Sequence, residues 1–371
     1  MNVAVVEVAG GAEAPDAWET RLRDERSNAF DVIRLVLATM VVFAHSYFLI
    51  DGRIDREPLW VLSHGQLQSG QVAVYLFLCI SGFLVTRSFL TSRGLRSYLL
   101  KRVARIVPGF LAATFFGLVI IAPFLATGTI QAFFARQNWP AIWVNALALR
   151  QTGVTGVLDP NPVKLVHGTL WTVKYEFDCY LLAALIGSFG FFSLRYAVFT
   201  FAAIAAVLLF LNFGVERLPT NNIGIASLLI SGPPLWPELL PFYFTGAAIY
   251  VFRNYIPLSG ALFWTLSGIL LISLFVGGAR VAILFAGSYV ILYLAIKMSA
   301  QIYILHRRVD LSYGLYLYAW PIQQLLVFVT KNSLSPLALF AVTMPVSLCV
   351  AYASWRFIEA PALAAVRGRR Q

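Results

Sequence analysis

The chain has 371 residues, of which 59% are hydrophobic and 12% charged, with a formal net charge of +11 and a mean hydropathy of +0.76. Soluble domains carry about 25% charged residues, so the composition excludes an ordinary water-soluble globule and points to a membrane protein. The positive charge is not gathered in a soluble domain, which argues against a nucleic-acid partner.

Residues 1–28 hold several acids and only a short apolar patch, which does not match a cleavable signal peptide. They are expected to form a cytosolic tail, with the first span acting as an uncleaved anchor. Apolar runs then recur at about 30–50, 71–90, 107–126, 169–189, 195–213, 236–252, 258–276, 279–297, 311–330 and 336–357. Each is long enough to cross a hydrocarbon core about 30 Å thick as a helix. Backbone groups in lipid must be satisfied within the segment, and the strict alternation of a barrel is absent. The expected fold is therefore all-α, a single bundle of about ten transmembrane helices in one domain, 29–361, followed by a basic tail, 362–371. With the amino end inside, the connections hold sixteen Lys and Arg on the inner side and eight on the outer side, which puts both termini in the cytoplasm.

The first span, "VIRLVLATMVVFAHSYFLI", places Arg34 and His45 eleven residues apart, hence on one helix face about 16 Å from each other. Asp31 joins that face. An arginine deep in a span costs roughly 2.5–3.5 kcal/mol, which favours a bundle interior or a wet cavity; snorkelling to the inner interface is the plainer account. In the second span Ser81 and Gly82 interrupt an aromatic stretch, serving either close helix packing or room for a substrate arm. The inner loop 91–106 spaces Leu95, Tyr98, Leu99 and Val103 as an apolar stripe among five cations, which predicts an interfacial amphipathic helix. On the outer side, Trp139 and Trp143 in the long connection 127–168 suit a short helix at the interface.

The fourth span opens "GTLWTVKYEFDCYLL". Thr172, Glu176 and Tyr180 share a face, while Lys174 and Asp178 make an i,i+4 pair on another. Glu176 lacks a local cation, so a functional or inter-helix role is expected for it. Near the end Arg356 and Glu359 are spaced for a salt bridge at i,i+3. Cys79, Cys179 and Cys349 fall inside spans with no pairing or zinc spacing, and are expected to be inert buried thiols.

The chain has no H-E-x-x-H, G-x-S-x-G, P-loop or G-x-G-x-x-G, so metal, serine-hydrolase and nucleotide-cleaving chemistry lack support. What remains is a histidine with carboxylate and guanidinium neighbours. That set suits proton removal from a hydroxyl and stabilisation of developing negative charge.

In order along the chain, "RLVLATMVVFAH" with Arg34 and His45, "LFLCISGF", Arg102 and Arg105 in "KRVARIVP", "LWTVKYEFDCYL" with Glu176, "SYGLYLYAWP" and the tail Arg356, Glu359 and Pro361 resemble the motifs of the acyltransferase 3 family. Two departures stand out: Phe177 replaces a second glutamate, and Ala319 a frequent late histidine. The resemblance spans residues 30–361. It implies a multi-pass enzyme of a bacterial-type inner membrane that moves an acyl group, most often acetyl, from acyl-CoA (acetyl-CoA) to a hydroxyl of a surface glycan or its lipid-linked precursor. It also implies His45 as base, with Arg34 and Glu176 beside it. Arg102 and Arg105 would grip the donor's phosphates, and the pantetheine arm would pass Ser81 and Gly82. Asp31, Trp171, Tyr180, Arg356 and Glu359 are expected in substrate-binding or supporting places. No metal and no permanently bound cofactor is implied, and no oligomeric state follows. The rivals are an acyltransferase acting on a cytosolic small molecule and a secondary transporter using the same buried polar residues, although the duplicated halves common in transporters are absent.

Overall fold

The computed structural model describes residues 17–23, 28–193, 236–298 and 309–368, with isolated positions between 196 and 204. Among these the regular structure is entirely helical, and the one pairing of extended backbone is an isolated bridge between Ala126 and Val157. Five segments are long and apolar enough to cross a membrane: Phe30–Asp51, Ser69–Leu90, Leu95–Leu125, Ala279–Lys297 and Pro336–Val366. In order with the helices between them, we label Ala17–Arg23 α1, Phe30–Asp51 α2, Ser69–Leu90 α3, Leu95–Phe115 α4, Trp139–Leu147 α5, Trp171–Ser188 α6, Trp236–Val251 α7, Gly260–Val276 α8, Ala279–Lys297 α9, Ser312–Val329 α10 and Pro336–Ser354 α11.

The expected count of ten spans is not reproduced. Helices α6, α7, α8 and α10 lie where the apolar runs predict them but are shorter or more polar than the other five, and most of 195–213 lies outside the described residues. The outward faces of the bundle carry Val276, Trp264 and Phe285, which are 81%, 73% and 65% exposed. So broad an apolar surface suits lipid rather than water.

Two local expectations are corrected. The loop 91–106 does not form a separate interfacial helix: its stripe is the first turns of α4, which runs on through a π-helical stretch, Phe116–Ile121, to Leu125. Tyr98 is the reason, because its ring is fully buried and its hydroxyl donates to the Tyr180 carbonyl at 2.9 Å, which ties this segment to α6. Cys349 is exposed, whereas Cys79 and Cys179 are buried as expected. The short helix expected around Trp139 and Trp143 is present as α5, started by Asn138 accepting from the Ala141 amide and by Pro140 in its first turn.

Helix α2 lies at the centre, against α3 on one side and α10 on the other. Its contact with α10 is sealed by Ala38, Val42, Leu315 and Ala319, all 1% exposed or less. Helices α3 and α7 come closer still. A Cβ on Gly82 would collide with the Tyr243 carbonyl, and one on Gly246 with the Cys79 carbonyl. Small residues that let backbones touch are a usual means of joining helices in lipid. The tail contributes too: α1 packs Trp18 and Leu22 into the bundle, and Glu19 pairs with Arg87 at 2.9 Å.

Residues 161–169 are irregular rather than helical. They form a strap along α10, whose side chains at four-residue intervals hold the strap's carbonyls: Gln324 Nε2 donates to Val163 and Leu165, Trp320 Nε1 to Leu165, and the Tyr316 hydroxyl to Thr169. Irregular backbone at membrane depth persists only where protein groups satisfy it. From Gln324 to Tyr316 the strap follows α10 for about 12 Å and leads into the first turn of α6 at Trp171, within two residues of where the apolar run places it.

Candidate active site

The first turns of α6 carry its polar face into a cleft. Arg34 from α2, Val74, Phe77 and Leu78 from α3, Thr172, Val173, Tyr175 and Glu176 from α6, Leu239 from α7, and Ser312, Tyr313 and Tyr316 from α10 line it. The i,i+4 spacing of Thr172, Glu176 and Tyr180 works as expected. Glu176 Oε1 accepts from the Tyr180 hydroxyl and from Ser81 Oγ at 3.3 Å, and Thr172 Oγ1 shares a hydrogen bond with the Tyr316 hydroxyl. The cleft thus has a polar wall of α2, α6 and α10, facing an apolar wall of α3 and α7.

Arg34 does not snorkel. Its Nη1 meets Asp310 Oδ2 at 3.1 Å, and the same oxygen accepts from Arg105 Nη2. The other carboxylate oxygen, Oδ1, accepts from the Ser312 amide at 3.0 Å and from its hydroxyl. Burial alone would raise the Asp310 pKa, but the two guanidiniums and Ser312 outweigh it and hold it below the usual carboxylate range. Two cations thus share one anion at the foot of the cleft, and the buried Glu359 carboxylate lies close enough to act on Arg105 as well. Asp31, the expected companion of Arg34, is exposed on the first turn of α2.

Below this cluster, Arg102 sits over the rings of Tyr98 and Tyr180 at 5.8 and 5.4 Å, and its Nη2 donates to Ser88 at 3.3 Å. Its Nε is buried without a hydrogen-bond partner. The guanidinium has no carboxylate partner among the described residues, so it keeps donors for an anion. Arg105 lies over the Tyr313 ring at 5.6 Å.

The remaining expected residues are placed differently. Gly82 faces the α7 backbone, so helix packing takes the space that a substrate arm would need. Lys174 and Asp178 form a buried ion pair with each other. Trp171 packs edge-on against Tyr175 at 5.8 Å, at the first turn of α6. The spacing of Arg356 and Glu359 does not yield a salt bridge, because the helix widens to π geometry over Trp355–Glu359. Glu359 turns inward, 1% exposed, and accepts from Ser354 Oγ at 2.9 Å, while Arg356 is exposed. Phe177 packs near Tyr180, with ring centroids 6.4 Å apart.

His45 stands three turns beyond Arg34 and does not line the cleft itself. Its imidazole is half-buried, makes no hydrogen bond among the described residues, and meets the indole of Trp320 edge to face, with centroids 4.7 Å apart. Trp320 is one turn beyond Tyr316 on α10, so the two aromatic residues connect His45 with the upper end of the cleft. The sequence reading missed Asp310, Tyr316 and Trp320. The signal for Asp310 was the arithmetic of charge: two arginines on different helices demanded an acid from elsewhere.

The sequence model of the Acyl_transf_3 family, described as an acyltransferase domain, matches residues 27–356. An O-acetyl transferase of Shigella phage Sf6 is 25% identical over 344 residues, covering 90% of this chain and 95% of that protein. Nodulation protein 10 of Rhizobium leguminosarum bv. viciae is 27% identical over 360 residues, covering 91% and 93%. No solved structure gives a significant match. The family match begins ahead of the first cleft-lining residue, Arg34, and ends beyond the last, Tyr316, so the whole polar wall lies inside it; the chain belongs to the acyltransferase 3 family.

Proposed function

We propose that this enzyme transfers an acyl group, acetyl in the first instance, from acyl-CoA to a hydroxyl of a surface or exported glycan or its lipid-linked precursor. The observation that carries the reading is the gathering of Arg34 and Glu176 at one cleft, with Ser81 bonded to Glu176 behind its wall and with Arg105 joined to Arg34 through Asp310 and Arg102 one turn away, on the side that the basic connections mark as cytosolic. A diphosphate-bearing donor would rest against Arg102 and the Arg105 cluster, with its thioester arm rising past Ser81 and Glu176. His45, which has no hydrogen bond among the described residues, accepts the proton of the acceptor hydroxyl as its oxygen attacks the thioester carbonyl. The carbon–sulfur bond breaks, and the proton is returned to the departing thiolate.

The phage relative's name supports acetyl as the group moved, and the asymmetry of Lys and Arg supports cytosolic termini in a bacterial inner membrane. The test is mass spectrometry of surface glycans from cells with and without the gene, with purified protein given [14C]acetyl-CoA in parallel. A mass loss of one acetyl per modified sugar is expected on deletion. Identical glycan masses together with no label transfer would sink the reading. Loss of a general base lowers rates by roughly 10²–10⁴, so His45→Ala at equal expression is expected to fall in that range.

A further inference from the structure

We infer that Trp320 is a positioning residue for His45, and that the strap 161–169 holds Trp320 in turn. The inference rests on the reading of His45 as base. An imidazole without hydrogen bonds must take its orientation from packing. For His45 that packing is the indole of Trp320, which Phe48, one turn on, also meets at 6.1 Å. The helix around His45 is already held: Gln323 Nε2 donates to the Val42 carbonyl at 3.1 Å and to the side-chain Oγ of Ser46, the next residue, at 2.7 Å. Only the ring's own rotation is then left to Trp320.

The indole is clamped twice by the strap. Its Nε1–H donates to the Leu165 carbonyl at 2.8 Å, and its six-membered ring lies so close to Gly168 that a Cβ there would collide with it. The strap is held on both sides of this point, by Gln324 on Leu165 at 2.7 Å and by Tyr316 on Thr169 at 3.2 Å. Trp320 itself is 3% exposed. A base acts only within about 2.6–3.2 Å of its proton, and a displacement of about 1 Å costs up to ~10²-fold.

The experiment varies [14C]acetyl-CoA over membranes from cells expressing the full chain, and compares the parent with G168A, W320F, the double variant and H45A. G168A, which touches neither His45 nor the cleft, is expected to lower kcat by about 10- to 100-fold with KM for the donor unchanged. W320F removes the indole N–H and the ring atoms that a Cβ at Gly168 would strike. It is expected to lose less, and the double variant to recover from the G168A level to that of W320F. If G168A fails to accumulate, W320F alone decides. Parental kcat in W320F alongside an inactive H45A overturns the inference and leaves the proposed function standing. Parental activity in H45A overturns the reading of His45, and the role of Trp320 with it.

Discussion

Arg34 and Asp310 meet at 3.1 Å across 276 positions of sequence, and this contact joins α2 to the head of α10 at the foot of the cleft. Arg105 brings α4 to the same oxygen. The side chains of Arg34, Arg105 and Asp310 are 21%, 14% and 12% exposed, so water screens the cluster weakly.

Removing the shared acid should therefore cost more than removing either base. Breaking a buried pair by deleting one partner costs about 3–5 kcal/mol, because a charge is left unpaired. Asp310→Ala strands two guanidiniums and should lie at that end of the range. Arg34→Ala leaves Asp310 still paired with Arg105 and should cost less. Melting temperatures of purified variants in one detergent test the order; equal losses would show that Arg34 and Arg105 do not share the acid. The sign of the pH dependence is also fixed. The carboxylate is held below its usual range, so its contribution is complete above an unfolded value of about 3.9 and is lost only as pH falls through the lower folded value. At neutral pH the clamp should not respond to pH.

Glu176 should be the most sensitive residue of the polar wall. It receives two hydroxyl hydrogen bonds, from Ser81 and Tyr180, which fix its carboxylate toward the cleft. Glu176→Gln preserves shape but removes charge, and a loss of roughly 10²-fold or more in acyl transfer is expected if the charge orients or activates the reacting groups. Tyr180→Phe deletes one neutral donor to that carboxylate, and a hydrogen bond to a charged group is worth about 1.5–3 kcal/mol. Its effect should appear as a smaller fall in kcat. Transfer by Glu176→Gln within about threefold of the parent would make Glu176 a structural acid.

Much of this site was legible before the structure, and the reasons are local. The ladder of Thr172, Glu176 and Tyr180 follows from helical periodicity, which needs no knowledge of neighbours. Arg34 as an interior cation was one of two readings open to the sequence, favoured by the cost of placing it in lipid and rivalled by snorkelling. Its partner did not follow, because Asp310 lies just ahead of α10, outside the quoted motif that helix carries, and its role is set by tertiary packing. The same holds for the strap: hydropathy sees an apolar run from 169 to 189, but cannot see that α10 presents donors at every fourth residue to receive irregular backbone. Arg356 and Glu359 failed for a geometric reason, since π-helical winding moves residues three apart off a common face.

Arg102 offers a second quantitative test. Lying over two tyrosine rings at 5.8 and 5.4 Å, with an Nε that has no hydrogen-bond partner among the described residues, it carries a planar fork suited to phosphate oxygens. Arg102→Ala should weaken binding of CoA, and the loss should shrink as salt rises from about 0.02 to 0.2 M, where screening lengths shorten to about 7–8 Å. Arg102→Lys should not restore affinity, because an ammonium lacks the fork geometry and stacks less well. Equilibrium binding of CoA to purified protein at the two salt levels is the measurement. Unchanged affinity in both variants would reduce the inner basic segment to a determinant of topology.

The glycine pair between α3 and α7 separates packing from substrate passage. Gly82 and Gly246 each sit against the other helix's carbonyl, at Tyr243 and Cys79, and neither has space for a methyl group. Gly82→Ala and Gly246→Ala should therefore behave alike, each forcing the helices apart at a cost of about 1–3 kcal/mol for overpacking. Were Gly82 instead lining a route for the donor arm, Gly82→Ala alone would raise KM for acetyl-CoA, while Gly246→Ala would not. Yield, melting temperature and KM measured side by side distinguish the two. The geometry calls for matched losses of stability, with KM unaltered in whatever fraction folds, because the atoms that each methyl group would strike belong to the opposing backbone and not to the cleft.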